Sequence, residues 1–357
     1  MAWRTTPLHD REVVDALVDP AHAAPSPALA AALRDWPGTY YWSNEPEGRH
    51  LVLTRPTVRR REAWGLHVIL FISVLALMTL SGAIFGGAIS ADFEAWRMPY
   101  LLRELPVGLW FSLPLLAILL CHELGHYLTA RAYQLDVSPP FFIPGLPAPI
   151  GIGTFGAFIR LRTVVSDRRQ LLDVGAAGPI AGFIVALPLL LVGIARSHAV
   201  PDAPVSGMIV PFGGDALLLG DSLVTMLARR LVLGSAVISS GAIALHPLAV
   251  AGWFGMFVTM LNLLPIAQLD GGHIVYATLP RWHRNVARLL WVVTIGLSRL
   301  SWTWLFWGVI ILALSRGRLD HPPVLDAYRP LPRSRWWLPA VSLVLFVLTF
   351  APVPFRR

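Results

Sequence analysis

Three residues have the types and spacing of a metal-dependent hydrolytic site: His122, Glu123 and His126, in the run LLAILLCHELGHYLTA. Two histidines four positions apart share one face of a helix, so both imidazoles can close on a single ion. Glu123, one position on, can lean over the open side and take a proton from bound water. The run around them is apolar, and a carboxylate with two imidazoles is costly there without a partner or a function.

A third ligand must come from elsewhere in the chain. No Glu follows Glu123, and position 132 is Ala132, so neither a downstream glutamate nor an extended three-histidine pattern completes the site. Asp270, in the segment NLLPIAQLDGGH, is the preferred candidate, because a carboxylate at the end of an apolar segment needs pairing. Taken alone it reads equally as a turn aspartate before Gly-Gly. His273, two glycines further on, is a competing ligand.

The elements that must position these groups are membrane helices. Of 357 residues 55% are hydrophobic and only 14% charged, where a soluble domain carries roughly 25%; mean hydropathy is +0.60. The apolar residues gather in runs over 67–90, 105–131, 171–195 and 247–264, each the length of a crossing at about 1.5 Å per residue. Residues 286–315 form either one overlong helix or a hairpin turning at Ser298-Arg299, and 336–350 closes the chain.

Every positive charge is arginine, and the net charge is +8. The arginines concentrate in 131–169, 281–288 and 316–335, whereas 91–104 and 197–228 carry more acid than base. Positive loops stay inside. The expectation is therefore a cytoplasmic N-terminus, a hairpin over 286–315, and an active site toward the cytoplasmic leaflet. The fold expected is an all-α polytopic membrane protein with about six to seven transmembrane helices and a small re-entrant β-hairpin near the active site. Residues 1–66, ending in Arg55, Arg59, Arg60 and Arg61, form a cytoplasmic N-terminal region, and 67–353 form the transmembrane domain.

The hairpin comes from 139–156, which holds too much Pro and Gly for a helix. Phe155, Phe158 and Ile159 are β-prone, Gly153 and Gly156 permit close approach, and 141–143 offers a pairing partner. Hydrolysis inside a bilayer requires a substrate helix to unwind, and its freed backbone must be held by a strand edge. Gly153, Thr154, Phe155 and Gly156 are the candidate substrate contacts, the alternative being an inert connecting loop. Other features read more plainly. Gly175, Gly178 and Gly182 have the spacing that lets helices pack closely. Cys121 is a small core residue whose solitude excludes internal disulfides and cysteine zinc fingers. His246 reads equally as interfacial or functional. The polar start shows no cleavable signal core. No basic stripe interleaved with aromatics suggests nucleic acid.

Taken together, the motifs resemble the site-2 protease family of intramembrane zinc metalloproteases. The resemblance rests on His122 to His126, the glycine-rich GTFGAFIRL beginning at Gly153, and the N-x-x-P-x-x-x-L-D-G pattern of Asn262, Pro265, Leu269, Asp270 and Gly271. GAAGPIAGF and the C-terminal HPPVLD and FAPVPF look like the branch without a PDZ domain, found in cyanobacteria, plastids and bacteria. The resemblance implies zinc held by His122, His126 and Asp270, Glu123 as catalytic base, and Asn262 hydrogen-bonding substrate near the scissile bond. It implies a transmembrane protein substrate, cleaved within the lipid bilayer in regulated intramembrane proteolysis. No PDZ-like insertion separates the third and fourth segments, and residues 1–66 match nothing in the pattern. Two rivals remain: a zinc transporter, which needs several ligand pairs along a pore, and an inactive chaperone-like relative, which would have lost Glu123 or Asp270.

Overall fold

The computed structural model describes residues 3–8, 11–19, 26–56, 62–90, 98–148, 151–162, 165–201, 206–212, 215–239, 241–322, 324, 326 and 329–356. Arg59, Arg60 and Arg61 of the basic cluster lie outside the described residues, as do 91–97 of the acidic loop.

The polar N-terminal region forms strands β1 (Trp3–Leu8), β2 (Arg11–Val18), β3 (Thr39–Glu45) and β4 (Gly48–Pro56), with helix α1 (Pro27–Arg34) between β2 and β3. They make one antiparallel sheet in the order β1-β2-β4-β3. One face is closed by α1, whose Leu33 packs with Val18 and Leu51. Ser26 caps that helix, accepting from the Leu29 N–H at 3.2 Å.

Among the described residues three helices are long and apolar enough to cross a membrane: α2 (Trp64–Phe85), α4 (Leu109–Ala132, preceded by α3, Met98–Glu104) and α5 (Arg168–Ala195). With α7 (Pro247–Asn262) they enclose the main core, where Met78, Phe111, Leu115, Ile118, Leu190 and Met260 are fully or almost fully buried. Shorter helices complete the body: α8 (Asp270–Thr278), α9 (His283–Gly296), α10 (Trp302–Leu314) and α11 (Trp337–Thr349). The segment 286–315 is two helices, not one. They turn through Leu297–Arg299 and lie side by side, with the Trp291 indole N–H donating to the Gly308 carbonyl at 3.0 Å.

The body has two distinct ends. At one end His67, near the start of α2, donates to the Pro140 carbonyl, Arg284 pairs with Asp320, and Arg335 with Asp173. At the other lies a five-stranded sheet in the order β11-β9-β8-β10-β7. It is built from β7 (His198–Pro201), β8 (Gly207–Phe212), β9 (Asp215–Leu219), β10 (Gly241–Ala244) and β11 (Phe355–Arg356), with α6 (Leu223–Ser239) between β9 and β10. An all-α fold is therefore too narrow a description. The N-terminal region adds a four-stranded sheet with strands of six to nine residues, and the helical body carries a five-stranded sheet whose strands are too short to announce themselves: β7 and β10 have four residues each, and β11 has two.

The third sheet is the hairpin β5 (Phe141–Pro144) and β6 (Thr154–Phe158), paired Phe141 to Phe158 with a bulge after Ile143. It begins beside His67, where Phe141 stacks on the imidazole at 4.0 Å. Its connecting loop reaches Ser81, whose hydroxyl accepts from the Ala148 N–H at 3.0 Å. From His67 to Ser81 is about 21 Å of helix at 1.5 Å per residue, so the hairpin dips deep along α2.

Candidate metal centre

Helix α4 carries His122, Glu123 and His126, all buried (4%, 6% and 6% exposed). Asp270 arrives from another direction, as the first residue of α8. The loop between α7 and α8 makes this possible by folding tightly, with Ala267 at positive φ and its N–H donating to the Leu319 carbonyl. Gly271 sits so close to the backbone of Leu263 that any side chain there would overlap it, which explains the Asp-Gly pair.

The three donors converge. Nε2 of His122 and Nε2 of His126 are 3.1 Å apart; the Asp270 oxygens stand 3.2 Å from the first and 3.3 Å from the second. Ligands about 2.0–2.1 Å from one tetrahedral ion sit about 3.3 Å from one another, so the triad has the edge lengths of a metal tetrahedron with one corner open. The protonation pattern agrees. His126 Nδ1 lies 2.7 Å from the Val174 carbonyl, which can only accept, so Nδ1 carries a proton and Nε2 is the nitrogen turned to the other two donors. Three such donors facing one point could hold a metal ion there. Among the described residues this is the one buried His/His/Asp group.

The remaining wall is α5. A Cβ on Gly178 would run into the His126 ring, and one on Gly182 would stand 3.2 Å from His122 Nδ1. The glycine stripe read as ordinary helix packing thus gives the two ligand rings their room. Asn262, the last residue of α7, has its amide nitrogen 3.2 Å from His122 Nε2. Glu123 faces the end of the hairpin, where the Ile159 backbone N–H interacts with its carboxylate.

Other candidates go elsewhere. His273 turns from the triad and pairs with His321 at 2.7 Å, a contact with no signal in the sequence. Thr154 accepts from the Gly156 N–H and donates to the Ile143 carbonyl, which ties its hydroxyl into the bulge, while Phe155 is 57% exposed. His246 caps α7 by accepting from the Leu248 N–H. Cys121 is free and half-buried.

A helical body of membrane-crossing length, holding a histidine-histidine-aspartate centre with a glutamate beside it, defines a metal-binding membrane protein of the HExxH type. A family description, Peptidase family M50, matches residues 110–298, more than half of the chain, and the protein belongs to that family, the site-2 proteases. It is 34% identical over 239 residues to "Probable zinc metalloprotease EGY1, chloroplastic" of Arabidopsis thaliana, covering 67% of this chain and 42% of that protein. The Arabidopsis EGY2 protein, likewise titled a probable zinc metalloprotease, is 33% identical over 71% of this chain and 43% of its own. The EGY3 protein of Oryza sativa subsp. indica is 28% identical over 66% of this chain. The chain thus spans less than half the length of these curated relatives. No solved structure matches it.

Proposed function

We propose that the protein is an intramembrane zinc metalloendopeptidase that hydrolyses a peptide bond in or near a transmembrane segment of another membrane protein. The observation that carries this reading is the buried triad with donor separations of 3.1–3.3 Å beside Glu123. His122, His126 and Asp270 would hold the zinc, with Val174 fixing the His126 tautomer. The chemistry zinc supplies when bound is polarisation of the scissile carbonyl and acidification of water. Glu123 would take the proton from the attacking water and deliver it to the leaving amine. Asn262, at the rim of the triad, would hydrogen-bond the substrate backbone. The hairpin supports the same reading: among the described residues β6 pairs with β5 on one side only, so its other edge could take an unwound peptide.

In this reading α2, α4, α5, α7 and α11 cross the bilayer and α9–α10 is a helical hairpin, giving about seven membrane helices. The arginine-rich end, with the N-terminal sheet, faces the cytoplasm. From His122 to Ala132 is about 15 Å of helix, and from Leu109 to His122 about 20 Å, which favours the cytoplasmic half for the site. Residues 1–66 are a cytoplasmic region and 67–353 the protease domain. Neither rival reading gains support: the described residues contain no second buried ligand group of the kind a transit path needs, and both Glu123 and Asp270 are present.

The test is a reconstituted transmembrane reporter with Glu123→Gln. Cleavage should fall by about 10²–10⁴-fold, the usual worth of a general base, while zinc content measured on the same sample stays at the wild-type level. Undiminished cleavage would end the mechanism.

A further inference from the structure

A second set of metal-type ligands lies in the N-terminal sheet. The tight turn between β3 and β4 has the sequence Glu45-Pro46-Glu47-Gly48, followed by Arg49 and His50. The register pairs Ser43 with His50 and Glu45 with Gly48, so Glu45 and His50 lie on the same face of the sheet. A ring nitrogen of His50 and one carboxylate oxygen each of Glu45 and Glu47 lie within 4.8 Å of one another.

Three groups close together at a turn prove nothing alone, since acids gather on surfaces for many reasons. The imidazole adds an independent observation. Its Nδ1 lies 2.8 Å from a carboxylate oxygen of Asp15, on the neighbouring strand β2. That carboxylate accepts, so Nδ1 carries a proton, and Nε2 is the nitrogen left for another partner. Nε2 is sealed from solvent and has no hydrogen-bond partner among the described residues. A buried polar atom without a partner costs about 1–3 kcal/mol. A metal ligand has this form: the carboxylate on the far nitrogen fixes the tautomer and raises the basicity of the near one. The membrane triad uses the same device, with the Val174 carbonyl on His126.

We propose that Glu45, Glu47 and His50 form a second divalent-metal site, held by Asp15 behind the histidine and separate from the membrane triad. One imidazole with two carboxylates suits a borderline first-row ion such as zinc or manganese rather than calcium or magnesium, which take oxygen ligands alone. Two carboxylates balance the ionic charge, and the exposed Glu47 leaves the remaining positions to water. The ion would clamp the β3–β4 turn on the face that also carries Tyr41, whose neighbours include Asp15, Glu45 and, from the helical body, Asp326.

The experiment is equilibrium dialysis of the full-length protein in detergent against Zn²⁺, with bound metal counted by mass spectrometry. Glu47→Gln, in an exposed turn, and His50→Ala should each bind one equivalent fewer than the wild type, and Asp15→Asn should weaken that equivalent by about 10–100-fold. The readout is the difference between variant and wild type, so it is independent of whether the membrane triad fills. Stoichiometries equal to wild type in both Glu47→Gln and His50→Ala would overturn the site.

Discussion

Two walls face each other across the candidate centre, and they are built on opposite principles. The helical wall, α4 with α5 and α8, is packed to the limit: Gly178 leaves the His126 ring no spare space, and Gly271 leaves none at the Leu263 backbone. The strand wall, β5 and β6, is anchored on one side and, among the described residues, has no further strand on the other. Phe142 is buried and meets Phe71 of α2 edge-on, while Phe155 and Phe158 are 57% and 45% exposed. A metal needs ligands fixed to within a few tenths of an ångström, which dense helix packing provides. An unwound peptide needs unpaired backbone groups, which only an unfinished sheet offers.

If that division of labour holds, the largest effects come from the helical wall. Asp270→Ala should lower zinc affinity by more than about a hundredfold, beyond the usual loss of a supporting residue, whereas His273→Ala, whose ring is turned to His321, should keep it. Zinc counts on the two variants side by side decide between them; the reverse result would hand the third position to His273. Gly178→Val should push the His126 ring aside, costing about 1–3 kcal/mol of stability from overpacking. Thermal melting with zinc analysis checks this, and a variant with normal zinc would mean α5 has more freedom than the packing indicates.

Substitutions in the strand wall should separate stability from cleavage. A Cβ on Gly153 (φ +90°) would strike the α2 backbone near Leu77 and Met78, while Gly156 (φ +107°) has open space beside it. Gly153→Val should therefore displace the hairpin and lower the melting temperature. Gly156→Val meets no neighbour but is strained at that φ, so it should lower the melting temperature less than Gly153→Val, retain zinc, and slow reporter cleavage about tenfold or more, a barrier change of about 1.4 kcal/mol. Normal cleavage in Gly156→Val would reduce the hairpin to a connector.

The smallest effect is at the anchor of that wall, where the Arg162 guanidinium grips both oxygens of Glu62 just before α2. The hydrogen bonds from Arg162 hold the Glu62 carboxyl below its ordinary value of 4.5. A lowered carboxylate pKa stabilises the fold above the ordinary glutamate range, and the contribution disappears as pH falls through the lowered value. Wild type should melt above Arg162→Gln by about 1 kcal/mol or less at neutral pH, and the gap should close on acidification. A gap independent of pH would assign the difference to packing.

Much of this was legible in the sequence because it depended on local spacing. Two histidines at i and i+4 share a helix face wherever that helix is, and the bilayer-length apolar runs read directly as α2, α4 and α5. The hairpin followed from Pro and Gly excluding a helix over 139–156, and the reversal within 286–315 from arginine placement. The five-stranded sheet was not legible, because its β11 comes from the far end of the chain and its strands are too short to show a period.

The sequence by itself determined the types of the candidate ligands, the helix that carries two of them and the membrane-like composition, since these rest on covalent order and the 3.6-residue turn. Only the tertiary structure decided that Asp270 rather than His273 closes the triad. It also decided that the Val174 carbonyl sets the His126 tautomer and that a glycine stripe on α5 makes room for both rings. The reason is physical: His273 lies three residues from Asp270 on the same helix, and the difference between facing the two histidines and pairing with His321 is an orientation fixed by α5 and by the segment following α10, which no local pattern records.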